Sequence, residues 1–152
     1  MSLSESNPPA AGPGPGVQRF SIKVLGVGGA GGNAVGHMAR EVFPGVTFAA
    51  LNTDAVALAH AAVGTKVSLG TRSMRGLGSG GDPARGRAAA EEEAGAIRAL
   101  CEGANVVFVV AGLGGGTGTG AGPVVARLAK EAGALVLGIV LLPFECEGAN
   151  RA

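Results

Sequence analysis

The run Asn105-Val-Val-Phe-Val-Val-Ala111 carries no charge, stops at glycine, and is followed by a segment with helical spacing. An unbroken apolar run of this length marks a strand covered on both faces, as in a parallel sheet. The same order recurs along the chain. Ile22-Lys-Val-Leu-Gly-Val27 ends in glycines and precedes a helix over 32–40 with Ala34, Val35 and Met38 on one face. Residues 46–51 read as a second strand, with Asn52-Thr53-Asp54 supplying cap residues for a short helix over 55–61. A short edge strand follows over 66–69. A glycine-rich loop then leads to Asp82 and Pro83, a start signal for a helix over 83–102. After the 105–111 strand come a helix reaching about Ala132, stopped by Gly133, and a further buried strand over 134–142. Its preceding helix places Val124, Val125, Leu128 and Ala132 on one face and Arg127, Lys130 and Glu131 on the other. Strands alternating with helices predict an α/β fold with a doubly wound, mostly parallel, Rossmann-like sheet.

Composition fits that architecture. The chain has 152 residues, enough for one core, and all five aromatic residues are Phe, so Val, Leu, Ile and Ala must fill the interior. A net charge of +1 with both signs interspersed excludes a strongly basic nucleic-acid binder. The apolar runs are too short to span a bilayer, so no direct membrane insertion is expected. Cys101 and Cys146 lie far apart without metal spacing and read as reduced thiols. Residues 1–18 are rich in Pro, Gly and Ser and lack a basic start followed by an apolar run, so they read as a disordered tail and not as a signal peptide. A cytoplasmic location is the expectation.

Chemistry concentrates in the glycines after the strands. From Ala111 to Pro123 the chain reads A-G-L-G-G-G-T-G-T-G-A-G-P. The first-turn N–H groups of a helix have no intrahelical partner and carry partial positive charge, and glycine lets a phosphate approach them closely. Two such loops, each directly after a buried strand and directly before a helix, would together hold a polyphosphate with main chain. The first loop also contains G-x-G-x-x-G at Gly26, Gly28 and Gly31, the dinucleotide fingerprint. Its ribose-binding carboxylate belongs about 20 residues on. Asp54 comes later than that and is a poor match. The pattern G-x-x-x-x-G-K-[ST] is absent.

Gly114-Gly-Gly-Thr-Gly-Thr-Gly120 between a strand and a helix resembles the signature of the tubulin/FtsZ family of GTPases. Four further segments resemble that family in order: 22–35 its first phosphate loop, 51–55 its second loop, 75–83 its γ-phosphate-sensing loop, and 143–151 its P-F-x-x-E-G-x-x-R segment. The resemblance covers residues 19–152, the N-terminal part of a GTP-binding domain, and implies GTP/GDP as ligand, with Mg²⁺ accompanying GTP. By position it implies α- and β-phosphate contacts from Gly28, Gly29, Ala30, Gly31, Gly32 and Asn33. Gly115, Gly116, Thr117, Gly118 and Thr119 would clasp the phosphates, one of the two threonine hydroxyls adding a donor. Asn52 and Asp54 would border the Mg²⁺ and phosphate region, and Glu147 and Arg151 would reach the ribose.

Asp82 stands where the family usually has Asn, and its carboxylate would repel a γ-phosphate unless it only caps its helix. Ala30 replaces a frequent glycine. The family continues into a central helix that reads guanine and a loop that completes the neighbouring subunit's site. Neither follows Ala152, so no catalytic residue is assigned and the chain alone is expected to be inactive. The implied partner is a second copy: a filament in the parent protein, and a dimer or strand exchange through the apolar surface that 134–142 would expose. Division-associated proteins are further partners in the family. Two other readings stand beside a cell-division GTPase: an NAD-type dinucleotide module, and a non-enzymatic filament-capping fragment. His37, His60, Arg72, Arg75 and the Glu91-Glu92-Glu93 run read as solvated surface, and Cys146 as a tolerant loop position.

Overall fold

A computed structural model describes residues 19–147. The expected tail, the segment 148–152 and the Glu147 side chain lie outside that description. Five parallel strands form one sheet in the order β3-β2-β1-β4-β5: β1 Ile22–Val27, β2 Val46–Asn52, β3 Thr65–Ser68, β4 Val106–Gly112 and β5 Leu135–Leu141. Ile22 lies opposite Val46 on one side and Val106 on the other, so β1, β2 and β4 finish level at Val27, Leu51 and Ala111. At the opposite end, Ser21 N donates to Asn105 Oδ1 across 84 positions of chain. The chain runs outward from β1 to β2 and β3, then returns to β4 and β5 on the other side. The order therefore reverses between β1 and β4, and in open α/β sheets that switch point opens a crevice.

Helices α1 (Gly28–Met38), α2 (Ala55–His60), α3 (Pro83–Glu92), α4 (Ala94–Cys101) and α5 (Gly116–Glu131) cover the sheet. The larger core joins Leu25, Val27, Val107 and Val109 to Ile97, Val125 and Leu128, placing α4 and α5 on one face. The smaller core joins Val24 and Val110 to Val35 of α1, with Phe48 and Phe108 at its border. Both faces of the central strands are thus covered, which explains the uncharged runs and bears out the doubly wound fold.

Three boundaries differ from the expectation. First, α1 begins at Gly28, not near Gly32, because the chain turns into the helix straight off β1. That turn needs bare backbone: a Cβ on Gly26 would sit 2.4 Å from Gly31 O, and one on Gly31 would sit 2.3 Å from Val110 O. Second, the expected helix over 83–102 is broken at Glu93, whose φ and ψ are −102° and 22°. Glu93 accepts from Thr71 N and the Thr71 hydroxyl, and Glu92 accepts from Arg72 N at 2.7 Å. Glu91 is exposed and pairs with Arg127 at 2.8 Å. The acidic run is therefore a set of ties to the loop at 71–72 and to α5, not a merely solvated face. Third, β5 is an edge strand. Leu135, Leu137, Ile139, Val140 and Leu141 are exposed, so its expected burial is corrected while the expected exposure of apolar surface is observed.

Candidate functional site: two glycine-led helix starts at the sheet switch point

An open cleft of about 710 Å³ occupies the switch point, where β1 ends at Val27 and β4 at Gly112. Helices α1 and α5 both start in it. The residues before their first turns, Val27 and Gly115, give no side-chain cap, and neither first turn contains an acid. Helices α2 and α3, which start elsewhere, are capped. Asp54 Oδ1 accepts from Val56 N and Ala57 N at 2.9 and 3.0 Å, and Asp82 Oδ1 accepts from Ala84 N at 2.8 Å. No charged residue lines the cleft among the described residues. The peptide dipoles of the two uncapped helix starts would favour an anion there.

The two starts touch. Gly28 adopts φ +76°, a conformation open to glycine at little cost, and a Cβ there would lie 3.0 Å from Gly118 N. A Cβ on Gly118 would in turn lie 2.2 Å from Gly112 O. Behind the cleft, α3 crosses α5 at backbone distance: a Cβ on Gly120 would sit 1.9 Å from Pro83 O. Gly29 and Gly115 differ from these, since a Cβ on either meets nothing within 4 Å. Some glycines of the two loops are thus required by packing, and others leave space open above the backbone.

The expected site residues divide accordingly. Gly28, Gly29, Ala30, Gly115, Gly116, Thr117 and Gly118 line the cleft. Gly32, Asn33 and Asn52 line an adjoining recess of about 120 Å³, which shares Gly28 and Gly29 with the cleft and has His60 at its rim. Gly31 faces the sheet against Val110 O. Asp54 caps α2, and Asn52 Oδ1 accepts from Asp54 N at 3.2 Å. Thr119 Oγ1 accepts from Gly114 N at 3.0 Å, bracing the loop. Glu147 ends a 3-10 turn, Glu145–Glu147, while Arg151 lies outside the described residues. The apolar wall opposite the helix starts is formed by Val140, Leu141, Leu142, Pro143 and Phe144.

Two residues escaped the sequence reading. Thr53, with 0% exposure, lies 2.6 Å from Thr117 through the two hydroxyls, and Ser79 Oγ lies 3.2 Å from the same Thr117 Oγ1. Both stand inside segments already singled out, L-N-T-D-A and R-G-L-G-S-G-G-D-P, but local sequence does not reveal that three loops bring their hydroxyls together. The shifted ionisable groups lie away from the cleft lining. Hydrogen bonds from Arg98 and then Arg127 hold Glu131 below the usual carboxylate range. Those from the Ser73 hydroxyl and the Arg72 N–H do the same for Glu92. Burial pushes the Cys101 thiol up. No cluster of three or more metal-ligating side chains occurs among the described residues. No described helix is long and apolar enough to cross a membrane.

Comparison with known proteins places these features. The chain is 52% identical over 130 residues to the cell division protein FtsZ of Buchnera aphidicola subsp. Schizaphis graminum, and 49% identical to that of Wigglesworthia glossinidia brevipalpis. Each alignment covers 86% of this chain and 34% of the relative, so the chain spans about a third of the length of the curated relatives it matches. Its fold superposes on an empty FtsZ dimer from M. jannaschii with TM-score 0.84 and 43% identity, covering 88% of this chain and 39% of that one. It also matches a CetZ2 from Haloferax volcanii, a GTPγS-bound protofilament, with TM-score 0.75 and 34% identity, covering 87% and 42%. The model of the Tubulin/FtsZ family, GTPase domain, matches residues 21–152, and the chain belongs to that family.

Proposed function

We propose that this chain supplies the phosphate-binding part of a guanine-nucleotide site in a filament-forming, cell-division GTPase that works at the cytoplasmic division site. One observation carries the reading: two uncapped, glycine-led helix starts meet in a cleft without charged lining, while α2 and α3, which start outside it, have aspartate caps. The first-turn N–H groups of α1 (Gly28, Gly29, Ala30) and α5 (Gly116, Thr117, Gly118) act as donors to the phosphates. Gly31 and Gly32 set the course of α1, and Asn33 and Asn52 add amides from the adjoining recess. Gly115 leaves room for the phosphates, and Thr119 holds the loop in shape. Glu147 and Arg151 extend the site toward the ribose.

Mg²⁺ fits as a companion of the nucleotide. Asp54 Oδ1 and Asn52 Oδ1 are engaged with backbone N–H groups, leaving Asp54 Oδ2 as the oxygen that would face the ion. With so few protein ligands, phosphate oxygens and water would hold the ion, as is usual for Mg²⁺. When bound, it neutralises phosphate charge.

Self-association follows from the relatives, one recorded as a dimer and another as a protofilament, with β5 as the additional surface for strand exchange in this chain. Isothermal titration with GTP and NAD tests the ligand. GTP binding with no NAD binding is expected, and tight NAD binding alone would establish a dinucleotide module instead. Right-angle light scattering with phosphate release tests assembly and turnover. GTP binding that caps filaments of a complete relative without turnover would assign the chain a capping role.

A further inference from the structure

The hydroxyls of Thr53, Ser79 and Thr117 come from the β2–α2 loop, the β3–α3 loop and the first turn of α5. Two contacts join them: Thr53 to Thr117 at 2.6 Å and Ser79 to Thr117 at 3.2 Å. Three hydroxyls hold three protons, and two hydrogen bonds consume two. Burial decides where the third goes. Thr53 is fully buried and its hydroxyl makes no other hydrogen bond among the described residues, so a proton of its own left unshared would be a buried donor without a partner. Thr53 therefore donates to Thr117. The unshared proton then belongs to Thr117, if Ser79 also donates to it, or to Ser79, if Thr117 passes the bond on. Both residues line the cleft. In either arrangement one hydroxyl proton emerges beside the α5 helix start, backed by a donor behind it.

We infer that Thr53, which does not touch the cleft, is a positioning residue that anchors the Thr117 side chain and polarises the Thr117–Ser79 pair as a donor to a phosphate oxygen. A hydroxyl that already accepts a hydrogen bond is a stronger donor. The short contact at 2.6 Å also fixes the Thr117 rotamer, so Thr117 reaches the ligand without losing freedom on binding. This inference rests on the phosphate-binding reading of the cleft.

The test is isothermal titration of GTP with the full chain, its Thr53→Val and Thr53→Ser variants, and Ser79→Ala. Thr53→Val keeps shape and removes the donor, and is expected to weaken GTP about fivefold while the melting temperature without nucleotide stays within a few degrees. Thr53→Ser restores the hydroxyl and is expected to restore affinity to within twofold, which a packing role for the Thr53 methyl would not do. Ser79→Ala is expected to weaken GTP about threefold, and it carries the comparison if Thr53→Val fails to fold. A full chain that binds GTP with Thr53→Val and Ser79→Ala binding equally well would overturn this inference alone. A full chain that binds no GTP would overturn the phosphate-binding reading and this inference with it.

Discussion

Helices α1 and α5 begin in glycine with no side-chain cap, whereas α2 and α3 begin behind Asp54 and Asp82. All four face the same thermodynamic problem, since the first N–H groups of a helix lack intrahelical acceptors. An aspartate solves it internally and closes the helix end to any other anion. A glycine start leaves the donors to an external acceptor, and it also lets two helix ends approach until backbones touch. The contrast teaches that, in this chain, an aspartate cap ties up the first N–H groups of its helix within the fold. An uncapped glycine start marks one whose stability is left incomplete for a ligand.

The largest expected effect comes from removing the close approach. Gly120→Ala would place a methyl 1.9 Å from Pro83 O, and the α3–α5 contact is backbone on backbone, so neither side has a side chain that could yield. Destabilisation of about 3 kcal/mol or more is expected by chemical denaturation. A loss under about 1 kcal/mol would show that the crossing relaxes easily.

Gly115→Asp converts α5 to the α2 and α3 type. The position has extended backbone and open space around its Cβ, so the side chain fits as a cap. Stability should rise by a few tenths of a kcal/mol. GTP affinity should fall on the order of a hundredfold by titration, because a carboxylate would occupy the N–H groups and repel phosphate. Undiminished affinity would break the comparison.

Asp82→Ala tests the opposite class. About 1 kcal/mol of stability should be lost with GTP affinity nearly unchanged. Asp82→Asn keeps a capping oxygen, so neither quantity should move much. A marked gain in GTP affinity on Asp82→Asn would mean that the carboxylate faces the nucleotide after all.

The smallest effect is in the ties outside the cleft. Glu131 and Glu92 titrate below their ordinary value of 4.5 in the folded chain. The unfolded chain then binds more protons as pH falls, so the stabilisation is complete above 4.5 and is lost as pH drops through the lower folded values. A melting-temperature series from neutral pH downward should show a shallow decline there, reduced in Glu131→Gln.

Legibility in the sequence followed the range of the forces involved. Strands β1, β2 and β4, the Asp82 cap and the two glycine loops are set by neighbours in the chain, and their positions are legible in it. The start of α1 is not, because glycines at 28–32 have poor helix propensity. What overrides it is contact with Val110 O, some eighty residues away. The break at Glu93 and the hydroxyl triad likewise depend on Thr71, Thr53 and Ser79, partners that no local periodicity encodes. β5 has the composition of a covered strand, yet its apolar side chains form the exposed surface expected of 134–142.

That sheet order also sets a timetable. β1 is the central strand and is made first, yet its partner β4 lies 84 positions later, at the distance marked by the Ser21–Asn105 hydrogen bond. At about 5–20 residues per second on a ribosome, one edge of β1 stays bare for roughly 4 to 17 s after it emerges. Until β4 arrives, the switch point between them does not exist. The cleft therefore cannot form before β4 has emerged, and slowing synthesis before residue 106 prolongs the interval in which β1 is open to a wrong partner.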